Sequence, residues 1–163
     1  MTLPDRGIAL EKHFRSYQEL KLEQAWYSAA VCLAEIFHAS ATLPAKERAA
    51  WESRLKGELN EKLLHEVRIG LEQNINRIRR ILSVGSEWTG EEILLVMQMR
   101  INIQLLSDFV GSAAAVEELV YLKQIDAQLS TVAKSGNHTD HFRWAQTRIK
   151  KTAVFDIERL WIF

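Results

Sequence analysis

Residues 61–82 read Glu-Lys-Leu-Leu-His-Glu-Val-Arg-Ile-Gly-Leu-Glu-Gln-Asn-Ile-Asn-Arg-Ile-Arg-Arg-Ile-Leu. Within them Leu64, Val67, Leu71, Ile75, Ile78 and Leu82 follow one another at steps of three and four. That interval puts apolar side chains on one stripe of an α-helix. Charged and amide side chains fill most of the other positions, so the rod has a single apolar seam that must be covered by other rods. Carrying the seam back through Leu59, Leu55 and Trp51 predicts one helix over residues 44–82, roughly 60 Å long at 1.5 Å per residue.

The flanking sequence repeats the pattern. Thr2-Leu3-Pro4-Asp5 and Thr42-Leu43-Pro44-Ala45 each pair a threonine cap with a proline that fits only a first helical turn. They predict starts for a first helix over residues 5–38 and for the second. The first carries Leu10, Phe14, Tyr17, Ala25, Ser28, Cys32 and Ile36 at near-helical intervals. Ser83-Val84-Gly85-Ser86 ends the second helix, and Thr89-Gly90-Glu91-Glu92 is a capping box that opens a third over residues 91–133. Gly111-Ser112 predicts a kink or break inside that stretch. Thr139 caps a last helix whose stripe Phe142, Gln146, Ile149, Ala153, Ile157 and Leu160 carries it to the end of the chain. The fold expected is all-α, an antiparallel bundle of four to five long helices in one domain, residues 1–163.

Composition narrows the function classes. Of 163 residues 47% are apolar and 26% charged, with 21 basic side chains against 21 acidic ones. Disorder and a nucleic-acid partner held by bulk positive charge are therefore excluded. Net charge by segment alternates as −1, +3, −4 and +2 over residues 1–41, 42–85, 86–136 and 137–163, which suits antiparallel neighbours. The one cysteine, Cys32, allows no internal disulfide and no multi-cysteine zinc site. With no secretory signal in the opening residues, a reducing, cytoplasmic location is expected. The most apolar stretch, residues 93–120, is interrupted by Arg100, Asp108, Glu117 and Glu118, so no membrane span is expected.

Five constellations bear on chemistry. His65-Glu66-Val67-Arg68-Ile69-Gly70-Leu71 resembles the H-box of two-component histidine kinases and related phosphotransfer proteins. That resemblance implies His65 as phosphoacceptor, with Glu66 and Arg68 beside it, on a hairpin that dimerises. Glu35-Ile36-Phe37-His38 has the Glu-x-x-His spacing of di-iron bundles, but the second copy such a site needs is absent. His138 and His141 flank Asp140 at a helix start, and Arg77-Ile78-Arg79-Arg80 lies in the last turns of the second helix. The aromatic set is Trp26, Trp51, Trp88, Trp144 and Trp161, with the chain closing as Leu160-Trp161-Ile162-Phe163; those four successive apolar residues cannot all face one side of a helix, so part of that end is packed elsewhere or offered to a partner. A second resemblance is carried by Asp5-Arg6, Glu11, Phe14 and Glu19-Leu20, which look like the opening of the bacterial zeta-type ATP synthase inhibitor family.

No cofactor and no resident metal are expected. The expected function is non-enzymatic, through protein contact, as an adaptor, regulator, chaperone or complex subunit. Trp144 and residues 160–163 would form the interface, with a protein partner or a homodimer. The alternative is histidine phosphotransfer through His65.

Overall fold

The structure is a computed structural model that describes residues 2–85 and 87–155. Every regular element among them is helical: α1 (Leu3–Leu22), α2 (Trp26–Ser40), α3 (Ala45–Gly57), α4 (Glu61–Ser83), α5 (Gly90–Val110), α6 (Leu122–Lys134) and α7 (Thr139–Thr152), with 3₁₀ turns at Gly111–Ala114 and Glu117–Tyr121. The all-α class stands.

Helix counts differ from expectation because both long rods are cut. The first stops at Leu22, where Gln24 takes φ 60° and Ala25 N–H reaches back to the carbonyl of Leu20 at 2.9 Å while Gln24 N–H reaches Lys21 at 3.1 Å. These two bonds are a Schellman closure with a non-glycine residue in the left-handed position. The chain therefore folds back, and α1 and α2 pack together. Because glycine adopts that conformation without a Cβ penalty, Gln24→Gly is expected to raise stability by about 1 kcal/mol in urea titration. A loss of stability would contradict the closure. The second rod is cut after Gly57, and Asn60 Oδ1 accepts from Leu63 N–H at 2.9 Å to open α4.

Capping follows the sequence in two places and departs from it in two. Thr2 with Asp5 forms a reciprocal box, as do Thr89 and Glu92, with Glu92 N–H 3.2 Å from Thr89 Oγ1 and Thr89 N–H 2.8 Å from Glu92 Oε2. Thr42 does not cap α3. Its hydroxyl bonds back to the Ala39 carbonyl at 3.0 Å and Pro44 takes the cap position. Thr139 likewise sits inside α7 and donates to the carbonyls of Ala133 and Ser135. The break expected at Gly111 is present, with φ 58°. The last helix, expected to run to the chain end, stops at Thr152; Ile157 and Leu160 to Phe163 lie outside the described residues.

The chain gathers into two units. In the first (residues 2–70, 105–115 and 154–155) the core holds Leu10, Phe14 and Tyr17 of α1, Ala30, Leu33 and Ile36 of α2, Trp51 and Leu55 of α3, and Leu63 and Val67 of α4. Ser28 is exposed and Leu64 only half-buried, so Leu63 carries that turn of the seam instead. Arg54 lies over the rings of Phe14 and Trp51, 3.9 and 4.8 Å from their centres, and donates to Glu11 at 2.6 Å. Two of the residues resembling the inhibitor family, Glu11 and Phe14, are thus engaged in this unit's own packing. In the second unit (residues 71–85, 87–104 and 116–153) the core holds Leu71, Ile75, Ile78 and Leu82 of α4, Ile93, Met97 and Ile101 of α5, Ile125 and Leu129 of α6, and Phe142 and Ile149 of α7. The stretch Gly90–Ala114 is long and apolar enough to cross a membrane by length and composition, and 67% of its most apolar window is buried inside the protein.

Candidate functional sites

The phosphotransfer-like motif lies on α4. His65 is exposed and Glu66 half-buried. Arg68, the third residue the resemblance singles out, donates to the Ala113 carbonyl at 2.8 Å and lies 3.8 Å from Glu61. Gly70 is buried against the ring of Tyr27, and a Cβ built there would overlap the ring edge at Cδ2 and Cε2. At this position the chain uses the absence of a side chain as a seat for an aromatic ring.

Glu35 and His38 share a face of α2, yet they serve different partners. Glu35 Oε2 lies 2.5 Å from His13 Nε2 of α1, whereas His38 Nε2 lies 3.2 Å from an Asp108 carboxylate oxygen on α5. Burial holds the His38 imidazole below its ordinary range, although Asp108 pulls the other way. Next to the first pair sits Cys32, whose thiol donates to the His13 backbone carbonyl at 3.3 Å. Burial, with Glu35 adding to it, pushes that thiol up to about 12, so it is not a nucleophile near neutral pH. One donor atom each from His13, Cys32 and Glu35 lies within 4.8 Å of the others.

Sequence reading missed His13, and the reason is geometric. On an unbroken helix, residues 13 and 32 would stand about 28 Å apart. Only the fold-back at Gln24 brings them together, and the local sequence there carries neither glycine nor proline.

His138 is buried, and its ring lies 5.5 Å from Trp88 and 6.0 Å from His141. Asp140 faces Arg143 at 3.4 Å, so the acid between the two histidines is turned to a neighbouring cation. Trp144 is 37% exposed, with Arg148 5.2 Å over its ring. Leu160, Trp161, Ile162 and Phe163, the remainder of the expected interface, lie outside the described residues.

The end of α4 holds a feature the sequence named only as a basic run. Arg77 and Arg80 are exposed and, among the described residues, have no carboxylate within ion-pair distance. Arg79 is spent over the Tyr121 ring at 3.6 Å. Arg77, Arg80, Ile81, Val84, Glu87 and Trp88 border an open groove of about 360 Å³. Val84 is 83% exposed, and the Trp88 indole is held by its N–H bond to the Ile81 carbonyl at 3.0 Å. Glu92 also borders the groove, but its carboxylate is bound in the Thr89 cap. On the other side of Arg80, a more polar pocket of about 480 Å³ is lined by Asn76, Arg79, Ser83, Gln124 and Gln128. Compared with known proteins, the chain has no match among family models, curated proteins or solved structures.

Proposed function

We propose that the protein acts without catalysis, by contact with a partner protein, as an adaptor, regulator, chaperone or complex subunit. Its helices are taken as antiparallel neighbours, a view supported by the tight fold-back between α1 and α2. The docking surface is the groove at the end of α4, and its occupant is an acidic partner segment with an apolar anchor. The observation that carries this is the pairing of two arginines that have no acid partner among the described residues with a bare valine and a fixed indole edge. Carboxylates on the incoming segment would meet Arg77 and Arg80, while a leucine or aromatic side chain would cover Val84. Leu160 to Phe163 and Trp144 form a second contact element in this proposal.

Selection of displayed peptides against the full chain tests it. Enriched peptides are expected to carry acidic residues flanking a leucine or aromatic. Their affinity is expected to fall about tenfold, or about 1.4 kcal/mol, in an Arg77→Glu/Arg80→Glu variant, and to fall with added salt. Basic or patternless peptides, or equal binding by the variant, would overturn it. A phosphoacceptor role for His65 is the second reading, favoured by its exposure on α4. It requires acid-labile phosphate that disappears in His65→Gln.

A further inference from the structure

We propose that His13, Cys32 and Glu35 form a binding site for a single zinc-class divalent cation between α1 and α2. Three different donors converge: an imidazole from α1, and a thiol and a carboxylate three residues apart on one face of α2. Zinc bonds of about 2.0–2.3 Å hold tetrahedral ligand atoms roughly 3.3–3.8 Å from one another. The donors now lie within 4.8 Å, and the imidazole and carboxylate are in direct hydrogen-bond contact. Side-chain rotations of about an ångström would separate those two, draw in the sulfur and leave the backbone in place.

Donor chemistry selects the ion. Magnesium and calcium require oxygen cages, whereas one nitrogen, one sulfur and one oxygen match the borderline-soft zinc ion, with cobalt as its spectroscopic substitute. Three protein ligands leave a fourth position for water. The side chains of His13 and Glu35 are 22% and 24% exposed, so the ion can enter from their side while buried Cys32 closes the site from within. Binding requires Cys32 as thiolate: the Sγ–H bond breaks, the proton leaves to solvent and sulfur donates its pair to the metal. In the metal-free pair a hydrogen lies between His13 Nε2 and Glu35 Oε2; for Nε2 to coordinate, that hydrogen leaves the contact and the ring carries one on Nδ1 instead, which frees the Nε2 lone pair for the metal.

Binding is independent of the docking groove, whose residues all lie in the other unit. The test is titration of the full chain with Co²⁺ followed by visible and near-ultraviolet absorption. One equivalent is expected to give tetrahedral d–d bands and a thiolate-to-cobalt charge-transfer band, both removed by Zn²⁺ and unaffected by Mg²⁺. Cys32→Ser should abolish the charge-transfer band. The near-isosteric Glu35→Gln should weaken binding by about 100-fold, since loss of even an outer-shell partner costs about 10–100-fold. Circular dichroism of each metal-free variant checks that it is folded, and Glu35→Gln keeps the test valid if Cys32→Ser is not. Absence of tetrahedral bands in the wild type, or bands and affinity unchanged in folded variants, would overturn the proposal.

Discussion

Asp126→Ala is expected to cost about 3–5 kcal/mol of folding stability, the largest single-residue effect in the molecule. Arg100 lies on α5 with only 3% of its surface exposed, and Asp126 on α6 holds it with two bonds, Nε to Oδ1 at 2.7 Å and Nη2 to Oδ2 at 2.9 Å. Gln104 Oε1 adds a longer third contact at 3.3 Å. A guanidinium cannot shed its charge by deprotonation, so removing the carboxylate strands a cation in an apolar interior. Urea denaturation followed by circular dichroism measures the loss. The double variant Arg100→Met/Asp126→Leu is expected to recover most of it, because a buried ion pair replaced as a whole by apolar groups is near neutral. A single-variant loss below about 1 kcal/mol would mean that water reaches Arg100 and that the α5–α6 packing is wrong.

Gly70→Ala comes second, at about 2–3 kcal/mol. In an open helix the same change stabilises, since alanine has the better propensity by about 1 kcal/mol. Gly7, with nothing within 4 Å of a built Cβ, is the matched control, and Gly7→Ala is expected to be neutral or stabilising. At Gly70 the sign reverses because the new methyl would occupy the space of the Tyr27 ring. Combining Gly70→Ala with Tyr27→Ala should cost less than the sum of the two single changes, which a double-mutant cycle measures. If Gly70→Ala stabilises as Gly7→Ala does, the ring does not rest there.

What the sequence disclosed followed from local chemistry. The seam through Val67, Leu71, Ile75, Ile78 and Leu82 is buried as its spacing demanded, the boxes at Thr2 and Thr89 form, and Gly111 breaks the chain. These are short-range effects that a stretch of a few residues specifies by itself. The misses are long-range. Lys21-Leu22-Glu23-Gln24-Ala25 favours helix at nearly every position, and the turn there exists because packing α1 on α2 covers Leu10, Phe14 and Tyr17. Tertiary burial outweighs a left-handed glutamine that costs only about 1–2 kcal/mol. The break near Gly57 did carry a legible signal, a glycine followed by a capping asparagine, which the run of leucines masked.

The functional side chains divide the same way. Arg77 and Arg80 were visible as a basic run, but the absence of acid partners for them among the described residues and their position beside Val84 and Trp88 are properties of the folded chain. Arg100, which in the sequence merely interrupts an apolar stretch, turns out to be a buried anchor. A single cation within a core-forming helix implies a buried acid, and that inference was available before the fold. The His13–Cys32–Glu35 cluster was not available, because it exists only once the first rod is bent back on itself.

If the end of α4 is a contact surface, site-specific photo-crosslinking in the native cell detects its partner directly. A photoreactive residue in place of Val84 is expected to capture one defined protein, with the crosslink mapping to an acidic segment of that protein and vanishing in an Arg77→Glu/Arg80→Glu background. The same probe at exposed Glu47 on α3 is expected to capture no such adduct. If Val84 yields no adduct, or one that is indifferent to the charge of Arg77 and Arg80, the groove is bare surface and the contact role assigned to it is wrong.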